Sequence, residues 1–316
     1  MTKKIGIVMI GTSLTERSDP VVRAGLKVAR AAGAKVALVH AFQPKMAYGG
    51  ETPYVAEVIL VEALEAERNL VARRMAEQIE RLEIRAEELA GKRIEYGPPH
   101  RVLTETAEAL GADLIVVGSA ESPAVAKMFG STADRVIRKS LRPVLVVRGS
   151  LEVPPRRVLL PVDLSPLSAV AFRRGLEVID QMTSDPEVRM EALYVVMHPD
   201  PGFFEPARSR ELTETEAARE LDRFVTKNIF HSGRRVVPRV VEGEVETAIR
   251  HRAEDWGADL IVLGTHGRGG FERFLLGSVA ADVVRHGNTN VLVIPPVVEV
   301  EKPEPRAARE AAVLAV

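Results

Sequence analysis

The residues best suited to chemistry form a glycine-rich run, Gly264-Thr265-His266-Gly267-Arg268-Gly269-Gly270, with Gly277-Ser278-Val279 separated from Gly267 by nine residues. Glycine lets a backbone approach an anion closely and turn its N–H groups toward the oxygens. A helix starting at Gly277-Ser278 adds unpaired donors, the positive end of its dipole and the Ser278 hydroxyl. The pattern suits phosphate; taken alone, a flexible loop is the equal alternative. It is neither a Walker loop, which needs Gly-Lys-Ser/Thr, nor the dinucleotide fingerprint, which follows a first strand. A carboxylate stands at Asp163, after Pro161-Val162 at the end of an apolar run. It suits ribose hydroxyls or a share in a divalent ion, and it equally suits a helix N-cap; the two roles are compatible. Arg268 and Arg273 bring guanidinium groups to the same loop. His266 has no Asp or Ser partner set by the sequence, so no catalytic residue is assigned. His251 and His286 read as surface residues.

The elements that must position this loop occur twice. Gly111-Ala112-Asp113-Leu114-Ile115-Val116-Val117-Gly118 returns as Gly257-Ala258-Asp259-Leu260-Ile261-Val262-Leu263-Gly264, identical at seven of eight positions. Gly97 and Gly243 precede these blocks at equal distance, and Val144-Leu145-Val146-Val147 and Val291-Leu292-Val293-Ile294 follow them. Self-similarity in several blocks and in one order marks a duplication. Each copy opens with a short branched apolar run, residues 5–10 and 158–162, read as a buried strand. Helical spacing follows at 20–32 and 166–181, with strands at 36–40 and 192–196. Charged helices are expected at 55–89 and 212–229, and weak third strands at 93–96 and 235–241. Helices at 102–110 and 246–256, strands at 114–117 and 260–263, and a last helix, 279–285 in the second copy, lead to the closing strands. Strands alternating with helices at this spacing give parallel, right-handed crossovers. The fold class is α/β: two tandem open, doubly wound, parallel five-stranded sheets. In such sheets ligands bind outside the carboxyl ends of the strands.

The expected boundaries are a first domain at 1–149, a linker at 150–156 containing Val153-Pro154-Pro155, a second domain at 157–296 and a solvated tail at 297–316. Lys and Arg total 43 against 44 Asp and Glu, so no global field draws the chain to nucleic acid or an anionic membrane. Cysteine is absent, which excludes disulfides and thiolate chemistry. No run approaches the ~20 apolar residues of a membrane span, and the first residues lack a signal-type pattern. A cytoplasmic location is the expectation.

The arrangement Gly264, Gly267, Gly277-Ser278 resembles the nucleotide signature of ATP-binding universal stress proteins. Leu159-Leu160-Pro161-Val162-Asp163-Leu164-Ser165 is similar to that family's opening motif, and Ala192-Leu193-Tyr194-Val195 and Val291-Leu292-Val293-Ile294 to its second and closing strands. The two copies cover nearly all of the chain outside linker and tail. The resemblance implies a fold like that of the adenine nucleotide alpha hydrolases, with backbone groups of Val195 facing adenine. It sets Pro161, Val162 and Asp163 at the strand-one turn near the ribose, and Gly264 beside it. Thr265, His266 and Arg268 line the loop, and Gly267, Gly277, Ser278 and Val279 hold phosphates. It implies ATP, with or without Mg, as ligand, and closing strands that pair across a dimer axis. Here that pairing is expected within the chain, as a pseudo-dimer, or between chains in a homo-oligomer.

The first copy departs from the signature. Gly11-Thr12-Ser13 replaces Pro161-Val162-Asp163, and Glu121 stands where Gly267 does, in a loop one residue shorter before Gly130-Ser131. A carboxylate there repels phosphate, and Pro123 removes a donor. A degenerate first site is expected, with Lys127 able to offset Glu121 for a smaller anion. The functional expectation is a stress-response protein that binds an adenine nucleotide in its second domain and changes its interactions with a protein partner. The alternatives are a slow ATP hydrolase, for which no base or metal cage is legible, and a nucleotide-free scaffold.

Overall fold

The computed structural model describes residues 4–42, 53–119, 132–183, 185, 187–197, 214–229, 233–265 and 276–296, with the side chains of 53–64 excepted. In the first repeat, strand β1 (Ile7–Gly11), helix α1 (Asp19–Ala32), β2 (Lys35–Phe42), α2 (Pro53–Arg81), β3 (Leu89–Tyr96), α3 (Pro99–Ala109), β4 (Leu114–Gly118), α4 (Thr132–Lys139) and β5 (Val144–Val147) follow in order. The second repeat runs β6 (Arg157–Pro161), α5 (Pro166–Met182), β7 (Arg189–Val196), α6 (Glu214–Asn228), β8 (Val236–Glu242), α7 (Val245–Trp256), β9 (Leu260–Gly264), α8 (Ser278–His286) and β10 (Asn290–Ile294).

All ten strands join one sheet in the order β3-β2-β1-β4-β5-β10-β9-β6-β7-β8. Each repeat is parallel within itself. The two meet where β5 and β10 pair antiparallel, Val146 opposite Val291 and Val144 opposite Val293. The closing strands therefore find in each other the cover that such apolar edges require. Both edges of each are taken within the chain, so the pairing expected between copies of a homo-oligomer is made here inside one molecule.

Helices flank both faces, as the doubly wound reading requires. One core holds α1, α5 and α6 against the sheet; α3, α4, α7 and α8 pack into the other. The sequence accounts for how closely α1 and α5 approach. A Cβ on Gly25 would stand 2.4 Å from Ile10 Cδ1, and one on the matching Gly175 2.5 Å from Val262 Cγ1. The repeated Gly-Ala-Asp block acts at the amino end of the sheet. Asp113 Oδ2 accepts from the Gly6 and Ile7 N–H groups at 2.8 and 3.2 Å. Asp259 Oδ2 takes the same pair from Arg156 and Arg157, both at 2.8 Å.

The long charged helix departs from expectation by ending at Arg81 rather than continuing to residue 89. Glu83 takes the left-handed conformation (φ 51°), the Glu83 N–H reaches Glu80 O and the Ile84 N–H reaches Ile79 O. This is a Schellman ending, normally announced by glycine. Here burial of Leu82 and Ile84 holds the turn without one. The third strand accordingly begins at Leu89, four residues before the position expected.

Candidate functional site

The carboxyl ends of β6, β7, β9 and β10 bring together most of the expected residues of the second repeat. Val162 donates its N–H to Leu193 O at 2.8 Å, the last rung between the first two strands. Beyond it Leu164 adopts φ 64° and the chain turns into α5. Asp163 holds that turn: its Oδ1 accepts from the Ser165 N–H at 2.9 Å. The N-cap itself is Ser165, whose hydroxyl accepts from the Ser168 N–H at 3.1 Å. Asp163 thus braces the turn two residues before the cap and is not the cap.

The backbone of Val195 follows from strand geometry. Successive residues of a strand turn their N–H and C=O to opposite neighbours. Leu193 O faces β6, and Val196 O accepts from Gly243 after β8, so the N–H and C=O of Val195 face the side of β6. Pro161, opposite Leu193, is the last residue of β6 in register. The polar edge of Val195 therefore opens beyond the end of that strand.

The two ends of the glycine loop are fastened to each other. Thr265 donates to Ile294 O at 3.2 Å, and the Gly277 N–H donates to Thr265 O at 2.8 Å. A Cβ at Gly277 would come within 3.3 Å of that carbonyl. Gly277 serves the closure of the loop base with its own N–H. The donors ahead of the first intrahelical bond, Ala281 N–H to Gly277 O, are those of Ser278, Val279 and Ala280. His266, Gly267 and Arg268 lie outside the described residues, as do Arg273 and, in the first repeat, Glu121, Pro123, Lys127, Gly130 and Ser131.

The corresponding place in the first repeat is a cavity of about 590 Å³ at the ends of β1, β2, β4 and β5. Its walls include Ser13, Arg17, His40, Ala41, Ser119 and Thr132, of which only Ser13 belongs to the degenerate motif named above. Thr12 donates to the Gln78 side chain at 2.8 Å, and Gln78, fully buried, donates to Asp19 at 2.7 Å. Arg81 grips the same carboxylate at 2.8 and 2.9 Å and, with Gln78, holds its pKa below the ordinary value against the opposing effect of burial. His40 Nδ1 meets Thr12 O at 2.8 Å. Burial lowers the pKa of the imidazole, with Arg74 adding to the shift. A neutral ring whose Nδ1–H donates to that carbonyl fits both facts. By the strand alternation that applies to Val195, Ala41 turns its N–H and C=O past the end of β1: Val39 O accepts from Thr12, and Phe42 O from Gly97 after β3. Matching the repeats residue by residue was the signal that would have found Arg17, His40 and Ala41, which stand where Leu167, Tyr194 and Val195 stand in the second.

Among the described residues no group of three or more His, Asp or Glu is placed to hold a metal, and no helix is long and apolar enough to cross a membrane.

Comparison with known proteins matches the universal stress protein family model twice, to residues 4–148 and 155–295. A universal stress protein of Mycolicibacterium smegmatis is 28% identical over 304 residues, 92% of this chain and 97% of its own. One from Methanocaldococcus jannaschii is 34% identical over 145 residues, 44% of this chain and 81% of its own. The crystal structure of a universal stress protein from Archaeoglobus fulgidus aligns with a TM-score of 0.63 at 18% identity, covering 93% of this chain and 97% of that one, a likeness of fold.

Proposed function

The chain belongs to the universal stress protein family, and from that premise we propose that its second repeat binds ATP or a related adenine nucleotide and that the protein acts in the cytoplasm through nucleotide-dependent contacts. The observation that carries this reading is the convergence of three features at the carboxyl ends of β6, β7 and β9. These are the open backbone edge of Val195, the Asp163 turn, and a loop base closed by Gly277 on Thr265 beside the first donors of α8. The backbone edge suits the donor and acceptor of an adenine, the carboxylate suits ribose hydroxyls, and the helix start suits phosphate. Magnesium, where present, would be held chiefly by the phosphates, with Asp163 as the one carboxylate named at the site. The second domain, taken as 157–296, would then be the sensor, and the first, 1–149, its permanently attached partner.

Titration of the full chain with ATP and magnesium tests the assignment and is expected to show one such site per chain. Asp163→Asn keeps an oxygen to accept from the Ser165 N–H and removes only the charge. It is expected to weaken binding about tenfold with little change in Tm, the scale of one charge-assisted hydrogen bond. Unaltered affinity in this variant would remove Asp163 from the site, and absence of any binding would favour a nucleotide-free scaffold.

A further inference from the structure

The two outer edges of the sheet, β3 and β8, are built differently. Gly243 after β8 gives its N–H to Val196 O, so by strand alternation the backbone groups of Pro238, Val240 and Glu242 point outward. Pro238 has no N–H, which blunts that edge. Gly97 after β3 likewise gives its N–H to Phe42 O, and the outward residues of β3 are Lys92, Ile94 and Tyr96. None of these is proline, so each turns an N–H and a C=O away from the sheet. Among the described residues the one side-chain hydrogen bond on this edge runs from Arg93 Nη1 to Lys92 O at 3.1 Å. Lys92, Arg93, Glu95 and Tyr96 are exposed, Tyr96 at 67%.

Charge decides what such an edge can accept. Charged side chains normally keep an edge strand from pairing, and like charges set directly opposite are destabilising. For β3 against an antiparallel copy of itself, a two-fold axis at Lys92 opposes the two Lys92 side chains, one at Arg93 the two Arg93 side chains, and one at Glu95 the two Glu95 side chains. An axis at Ile94 opposes none of them. It sets each Arg93 against Glu95 of the other copy, in the closer, non-hydrogen-bonded kind of pair, and each Lys92 stem against the Tyr96 ring. The backbone groups fall in step: Ile94 exchanges bonds with Ile94, and Lys92 with Tyr96, the residues that face outward. Arg93 gives up Lys92 O to the Tyr96 N–H of the other copy and takes Glu95 instead. Ile94 sits beside Leu14, Val71 and Met75, so this small cluster under α2 continues across the axis. We propose that β3 is a homodimer interface, pairing antiparallel with β3 of a second copy about an axis at Ile94, the same surface meeting itself. The closing strands β5 and β10 are engaged with each other within the chain, so this edge joins whole molecules rather than repeats. The inference does not depend on any ligand.

A single strand pair buries less than the ~1,200 Å² of a stable interface, so the dimer should form and separate with concentration. Sedimentation velocity of the full chain across a concentration series tests it. A shift from monomer to dimer is expected, with weaker association at high salt. Glu95→Arg places arginine opposite arginine and should weaken association about tenfold or more; Arg93→Glu should do the same with two carboxylates. The double change Arg93→Glu with Glu95→Arg restores opposite charges across the axis and should recover association to within about threefold of the parent. Both side chains are exposed, so Tm is expected to stay unchanged in all three variants. A parent chain that remains monomeric throughout overturns the proposal. So does equal association of the parent and the Glu95→Arg chain, or a double variant no better than the single ones, since either places the contact elsewhere.

Discussion

At the amino end of the sheet the two repeats are nearly interchangeable; at the carboxyl end they are not. The Asp113 and Asp259 clasps hold the same two N–H groups of the same strand in each repeat. Gly97 and Gly243 share φ near 140°, and Gly111 and Gly257 share φ near 60°. At the other end, Asp163 braces its turn locally, while Thr12 is wired through Gln78 to Asp19 and Arg81. A duplicated chain keeps what folding needs in both copies and diverges where ligands bind. The first-repeat turn is tied to α2 by the buried Gln78 amide; the second is braced by Asp163 on the Ser165 N–H.

The largest expected break in this comparison lies at the seam. Asp134 on α4 is buried and accepts from Arg138 of its own helix and from Arg285 of α8, each at 3.1 Å. Arg138 and Arg285 occupy matching positions in the repeats, but the residue matching Asp134 is Ala281, so one carboxylate serves both arginines. Asp134→Ala leaves two guanidinium groups facing each other without an anion. Removing one partner of a buried ionic cluster costs about 3 kcal/mol. A clear fall in Tm is expected, with the single unfolding transition splitting as the repeats lose their lock. Arg285→Ala, which leaves Arg138 on the carboxylate, should cost less. Equal losses for the two changes would mean that Asp134 matters only across the seam.

A smaller effect sharpens the likeness of the repeats. Gly25→Ala and Gly175→Ala each push a methyl into the sheet, against Ile10 and Val262 respectively. Overpacking of this kind costs roughly 1–3 kcal/mol. The new methyl at Gly25 would meet two atoms of the buried Ile10 below 3 Å, Cδ1 at 2.4 Å and Cγ1 at 2.7 Å, whereas the one at Gly175 would meet only Cγ1 of Val262 so closely, at 2.5 Å. Denaturant unfolding should therefore show Gly25→Ala to be the more damaging of the two.

The duplication, the parallel order of strands within each repeat and the pairing of the closing strands were legible because each leaves a long-range pattern: repeated blocks, branched apolar runs, and two edges too apolar to stay open. The end of α2 was not, because its left-handed residue is Glu83, stabilised by the burial of its neighbours rather than by a local signal. At the site, the glycines and Asp163 announced themselves by type and spacing. The resemblance sets Gly277 among the residues that hold phosphate, and the geometry directs its N–H at Thr265 O. The first-repeat cavity was hidden for a similar reason. Thr12, His40 and Ala41 are ordinary strand-end residues, and they become a wall only when the sheet brings four strand ends together.

The smallest expected effect is a dependence on pH that belongs to the first repeat. Burial lowers the pKa of His40 in the folded chain from its ordinary 6.5, so the unfolded chain binds this proton more readily. The contribution of the neutral ring is therefore complete above pH 6.5 and is lost as the pH falls through the folded value. The Asp19 carboxyl, held below its ordinary 3.8 first by the Arg81 hydrogen bond, adds a second loss as the pH falls below about 4. Glu88, gripped by Arg30 and Arg85, falls in the same direction. Tm should thus decline in two steps on acidification, with hydrogen exchange rising first around β1, β2 and the Thr12 turn. His40→Tyr, which gives the first repeat the residue found at Tyr194, should flatten the step between pH 7 and 5 and leave the lower one in place. If the upper step survives that substitution, another group carries it, and the cavity wall is not the acid-sensitive part of the fold.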